Sequence, residues 1–170
     1  MRALAAGLAL TFVVSLASAD SEIPGPARYV SARVLKLVNA ARTHGRRCGG
    51  EVFPAVAPVR LSSTLERAAR EHVRDMASHN FFEHEGSDGS SPTQRLARTG
   101  YRWRLTGENI AYGPTSADEV VSGWLASPGH CENIMEPRFT EMGIAFAVGW
   151  TRGNPVYWDQ TFAVPRTKQR

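Results

Sequence analysis

Apolar residues along this chain change their spacing once, and the change separates a helical part from a strand part. From Tyr29, Val30, Val34, Leu37, Val38 and Ala41 recur at helical intervals and predict a helix ending near His44-Gly45. Gly49 to Arg60, with Pro54 and Pro58, reads as a loop. Ser63-Thr64-Leu65-Glu66 has the form of a capping box, and Leu65, Ala69, His72, Val73 and Met76 then line one face of a second helix that stops around Ser78-His79-Asn80. A polar loop carries His84. Ser91-Pro92-Thr93-Gln94 opens a short helix ending before Gly100, and Thr106 to Tyr112 reads as a strand with Glu108 near its start. Ser116 to Glu119 is another capping box, opening a helix with Val120, Val121, Trp124 and Leu125 that breaks at Ser127-Pro128-Gly129. Beyond it the period becomes two: Met142, Ile144, Phe146 and Val148 alternate with small residues, and Val156 to Val164 should pair antiparallel with them across the Gly149–Pro155 turn. Helices early and strands late predict a layered α+β domain.

The ends follow a different logic. Met1-Arg2, the uncharged apolar run Ala3 to Leu16, and Ala17-Ser18-Ala19 have the layout of a cleaved signal peptide over 1–19. A retained anchor is the alternative, although a membrane span needs about 20 apolar residues. The expected organisation is an extended leader over 20–27, one domain over 28–165 and a frayed tail over 166–170, in a secreted or periplasmic protein with no transmembrane segment after cleavage. With 170 residues and a formal charge of +4, the chain is long enough for one real core. Its basic residues are scattered and not interleaved with aromatics, which argues against a nucleic-acid partner.

Two cysteines are present, Cys48 and Cys131. In an exported chain an even count favours a disulfide, and such a bridge would clamp the segment carrying His130. Two free thiols, one beside His130, are the competing reading. His44 and His79 stand near helix C-termini, where a cation suits the dipole. His72 reads as a hydrogen-bonded core histidine rather than a ligand, and Asp88-Gly89 as a turn rather than a calcium site. Of the four tryptophans, Trp103 is the one expected to be partly exposed.

Three segments carry the candidate chemistry: Phe81-Phe82-Glu83-His84, Gly107-Glu108-Asn109-Ile110-Ala111, and Trp124 to His130. Together with Asn39-Ala40-Ala41-Arg42, Asp75-Met76-Ala77, Ser87-Asp88-Gly89, Asn133-Ile134-Met135, Glu141-Met142-Gly143 and Tyr157-Trp158-Asp159-Gln160, they resemble the bacterial branch of the CAP superfamily (cysteine-rich secretory, antigen 5 and pathogenesis-related proteins, or SCP domains) over about Val34 to Phe162. The resemblance implies a three-layer α-β-α sandwich around a central antiparallel sheet. It also implies a cleft formed by His84, His130 and Glu108, where Ser127 stands in the place of the family's second acid. His84, Glu108, Ser127 and His130 are thus the candidate ligand-binding residues. His84 and His130 are the candidate ligands of zinc or another divalent metal. The implied ligands are small apolar molecules or cell-envelope components. Catalysis by His84, Glu108 and His130, giving a hydrolase of peptides or envelope polymers, stays open, as does a secreted interaction module whose polar cluster is structural.

Overall fold

The computed structural model describes residues 25–166. The expected signal peptide over 1–19, the part of the expected leader up to residue 24 and the expected tail beyond Arg166 lie outside the described residues. In chain order the elements are α1 (Gly25–Arg42), β1 (Arg46–Cys48), β2 (Glu51–Phe53), β3 (Arg60–Leu61), α2 (Ser63–His79), α3 (Pro92–Arg98), β4 (Trp103–Tyr112), α4 (Ala117–Ala126), α5 (Pro128–Met135), β5 (Glu141–Val148) and β6 (Val156–Pro165).

The sheet order is β3-β5-β6-β4, so β4 is an edge strand. β6 pairs antiparallel with β5, as the alternation of the last third predicts, and also with β4. Only the two-residue strand β3 runs parallel, beside β5, which makes the sheet mixed rather than wholly antiparallel.

Alternation along β6 sorts its side chains onto two faces. Trp158 and Phe162 join the core beneath α1, α4 and α5, where Val34, Val38, Val120, Trp124, Ile134 and Met135 are buried. Tyr157 and Ala163 face the other way, onto Val73 and Met76 of α2 and onto Leu65 and Leu96. The result is an α-β-α sandwich. The small residues between the apolar positions of β5 are explained by α2, whose backbone lies directly against them. A Cβ on Gly143 would come within 2.3 Å of the Glu66 nitrogen and the Leu65 carbonyl carbon. Gly143→Ala is therefore expected to destabilise toward the upper end of the roughly 1–3 kcal/mol that overpacking costs, read as a lower denaturant midpoint at unchanged slope.

Several expected boundaries move, each for a local reason. α1 begins at Gly25, so residues 25–27 are helical rather than extended; Pro26 falls in the first turn, where its missing N–H has no helical role. The N-cap of α2 is Ser62, not Ser63, because the Ser62 N–H is donated to the Met142 carbonyl and pins that residue in extended form beside β5. Glu66 closes no capping box. It is buried, accepts from Ser31 and pairs with Arg70. At α4 the Ser116 cap forms, but Glu119 accepts from Thr115 instead of Ser116. The expected reciprocal box is present at α3, between Ser91 and Gln94. The loop over 49–60 holds the hairpin partner β2 and the start of β3. β4 starts three residues early, at Trp103, which places Glu108 in mid-strand. Trp150, 89% exposed, is the solvent-facing tryptophan, while Trp103 packs partly against Leu96.

The break at Ser127 is a corner rather than an end. Ser127 closes α4, and Pro128 opens α5 in the next position, as proline favours the first turn of a helix. His130 therefore sits on a helix, not in a loop. Cys131, one residue on, is bonded to Cys48 on β1, so neither thiol is free and the bridge ties α5 to the β1–β2 hairpin.

Candidate functional site

Glu108 and Asn109 are consecutive in the edge strand and so point to opposite faces of the sheet. Glu108 lies opposite Thr161 in β6, on the α2 face, and Asn109 lies opposite Gln160, on the α5 face. This alternation builds a site on both sides of one strand edge.

On the α2 side, His84 Nδ1 is 2.8 Å from Glu108 Oε1. Arg95, from α3, donates to Glu108 Oε2 at 2.7 Å, to the His84 carbonyl at 2.9 Å and to the Ser90 carbonyl at 2.8 Å. One guanidinium thus holds the carboxylate and the backbone of the loop that presents the histidine, in the geometry that gives charge-assisted bonds their strength. Glu108 and Arg95 are buried, with side chains 5% and 3% exposed, whereas the His84 side chain is 53% exposed. Because a carboxylate can only accept, His84 Nδ1 carries the proton and Nε2 is left as the outward atom.

On the α5 side, Asn109 donates to the His130 carbonyl at 3.2 Å and to Gln160 at 3.0 Å. Asn133 donates to Asn109 Oδ1 at 2.9 Å and to the Glu108 carbonyl at 3.2 Å. This amide network ties the first turn of α5, and His130 with it, to β4. His130 is half-buried. No hydrogen bond joins Ser127 to either histidine among the described residues, and its hydroxyl does not cap α5.

The charges of the two imidazoles diverge. The hydrogen bond to Glu108 raises the His84 pKa above its ordinary value despite partial burial. Burial lowers that of His130, and the nearby His84 lowers it further. Burial alone would raise the Glu108 carboxyl, but the His84 hydrogen bond and the Arg95 charge outweigh it and hold Glu108 below the usual range.

Two aromatic side chains continue this surface. Phe82 and Tyr112 are 42% and 51% exposed and meet at 5.9 Å between ring centroids, and Tyr112 packs edge-on against Tyr157 at 5.0 Å. Tyr112 lies on β4 on the same face as Glu108, so the aromatic pair and His84 border the same strand.

The structure thus joins His84 to Glu108 directly and brings His130 within electrostatic reach of His84, while Ser127 stays apart. Sequence reasoning missed Arg95 and Asp159 and placed His72 in the core only. His72, Glu108 and Asp159 bring three atoms of metal-binding type within 4.8 Å of one another, the one such group among the described residues. The available signal was Asp159 itself: a lone acid in the middle of a strand otherwise rich in aromatic and β-branched residues must find a partner. The remaining expectations hold locally. His44 and His79 bond to carbonyls in the last turns of their helices, and Asp88-Gly89 is a turn with Gly89 left-handed.

The match to a known family runs through these same segments. The model of the cysteine-rich secretory protein family, CAP, matches residues 35–162. The uncharacterised protein YkwD of Bacillus subtilis is 32% identical over 123 residues, which are 71% of this chain and 44% of that protein. An extracellular SCP-domain protein of Bacillus anthracis superposes with a TM-score of 0.66 at 25% identity, covering 81% of this chain and 41% of that one. NaASP2, solved with Zn2+, shares the fold at a TM-score of 0.55 and 16% identity, covering 84% of this chain and 82% of its own. The chain therefore spans less than half the length of the two Bacillus proteins. No helix among the described residues is long and apolar enough to cross a membrane. With its family model matched across both faces of the sandwich and every strand of the site, the chain belongs to the CAP family of cysteine-rich secretory proteins.

Proposed function

We propose that this is an exported ligand-binding domain whose edge-strand cleft takes a small anionic amphiphile of the cell envelope. The observation that carries the reading is the exposed Phe82–Tyr112 pair bordering the same strand as the outward-facing His84. The rings offer apolar surface to a hydrocarbon chain, and His84, with its raised pKa, offers a donor to an acidic head. His130, within electrostatic reach of His84, would border the ligand from the α5 side, while Ser127 stands apart. Similarity to an extracellular SCP-domain protein supports export.

Hydrolysis is less well supported by the same geometry. Both Glu108 oxygens are engaged, by His84 and Arg95, and Ser127 is bonded to neither histidine. His84 and His130 are the residues that would hold a divalent metal here: Glu108 takes the Nδ1–H of His84 and directs Nε2 outward, the arrangement commonly found behind metal-bound imidazoles. A bound ion would supply a Lewis-acid contact to the ligand head.

The expected result is saturable binding of dodecanoate below its micelle concentration, measured by calorimetry. His84→Ala and Tyr112→Ala should each weaken it by about tenfold or more, in keeping with the roughly 1.5–3 kcal/mol of a charged hydrogen bond or a buried side chain. Affinity should be highest below the raised pKa of His84 and fall as pH rises through it. Equal binding by wild type and both variants would refute the assignment.

A further inference from the structure

Beneath the cleft, on the α2 face, Glu108 also belongs to a second polar cluster, whose other members, His72 and Asp159, the binding surface does not use. His72 and Asp159 are fully buried, at 0% exposure. His72 Nε2 is 2.9 Å from the Glu83 carbonyl. A carbonyl can only accept, so Nε2 carries the ring proton, and burial together with the nearby Arg95 charge keeps the ring neutral. Its Nδ1 is then an acceptor, and it finds no protein donor. Asp159 Oδ1 accepts from Thr161 at 3.0 Å, while Oδ2 also finds no donor. Glu108, the third member, already uses both oxygens. Three acceptor groups thus meet in the interior; the Arg95 Nε–H is also buried without an acceptor but bonds none of them, so a donor is missing.

Charge decides what supplies it. Arg95 contributes one positive charge, and ionised Glu108 and Asp159 one negative charge each. Counting the buried side chains alone, with His72 neutral and the half-exposed His84 left to the solvent, the cluster has one negative charge in excess, in a place where an unbalanced charge is costly. One proton cancels the excess. A divalent cation overshoots it and would sit beside a guanidinium, so the cluster does not fit a metal despite its residue types. The groups facing Asp159 are Glu108 from β4, His72 from α2 and Arg95 from α3, while Asp75 of α2 acts on His72; β5 presents Ala145 opposite it.

We propose that Asp159 is held as a neutral carboxylic acid that donates a hydrogen bond into the His72–Glu108 cluster and so keeps Glu108 an ionised anchor for His84. Asp159 is then a positioning residue, whatever the cleft binds. Burial and the adjacent Glu108 charge both push its carboxyl well above the ordinary range, in agreement with this role. An acid whose pKa is raised by folding contributes stability below its unfolded pKa, about 3.9, and that contribution is lost as pH rises through the folded pKa.

The test compares wild type with Asp159→Asn, whose amide keeps a donor and has no proton to lose. From about pH 4 to the folded pKa of Asp159, the folding equilibrium of wild type relative to D159N should fall by up to about tenfold per pH unit, leaving D159N the more stable at neutral pH. Ring 15N spectra of wild-type His72 should show a neutral, Nε2-protonated ring from pH 5 to 8, unchanged by zinc chloride or EDTA. A doubly protonated His72, a zinc-dependent shift, or a D159N protein that loses ground to wild type as pH rises would each overturn the proposal. A doubly protonated or zinc-responsive His72 overturns it even if D159N does not fold.

Discussion

Arg95→Leu should cost about 3–5 kcal/mol at neutral pH, because it leaves Glu108 as a buried carboxylate without its cation. Arg95 is 2% exposed, so water cannot take over the guanidinium's role. The loss has a pH signature. Glu108 is held below its ordinary pKa in the folded protein, so its pairing stabilises above the unfolded value, about 4.3, and that contribution disappears as pH falls through the folded pKa. The gap between wild type and R95L should therefore be widest near pH 7 and close in acid. Urea unfolding at pH 7 and at pH 3 reads both points. An equal loss at the two pH values would mean that Arg95 acts through packing alone.

Replacing Cys48 and Cys131 with serine should remove about 4–5 kcal/mol on the chain-entropy account, which grows with the length of the closed loop. The bridge spans a sequence separation of 83 residues. Its native role is local as well: Cys131 is buried in α5 next to His130 and packs with Trp124 and Ile134. The double variant should unfold at a much lower temperature, and the amides of 128–135 should exchange faster than those of β5 and β6. Wild-type stability in the double variant would show that packing alone holds α5 in place.

The two sides of the site were unequally legible in the sequence. The helical and alternating periods gave the elements and the α+β class, while the family resemblance implied the three layers and marked His84, Glu108 and His130. The alternation of β5 was readable, yet the reason for its small residues was not, since only coordinates show the α2 backbone lying against Gly143. Ser127-Pro128 read as a stop because proline ends one helix and begins another with the same geometry. Arg95 escaped notice because an arginine in a short polar helix reads as solvated. Its burial depends on Glu108 and the His84 loop converging from elsewhere in the chain. Asp159 escaped for a related reason: its meaning lies in the residues opposite it in space, not in its neighbours along β6.

The central claim is that the surface between His84 and the Phe82–Tyr112 pair receives the ligand. The direct measurement is a dodecanoate titration of histidine- and aromatic-labelled protein followed by NMR. Ring resonances of His84, His130, Phe82 and Tyr112 should move together and saturate, while those of His44 and His79 stay fixed. Saturable shifts confined to the distant groove of about 170 Å3 lined by Val30, Arg70, Arg74 and Phe146, with His84 unmoved, would contradict it.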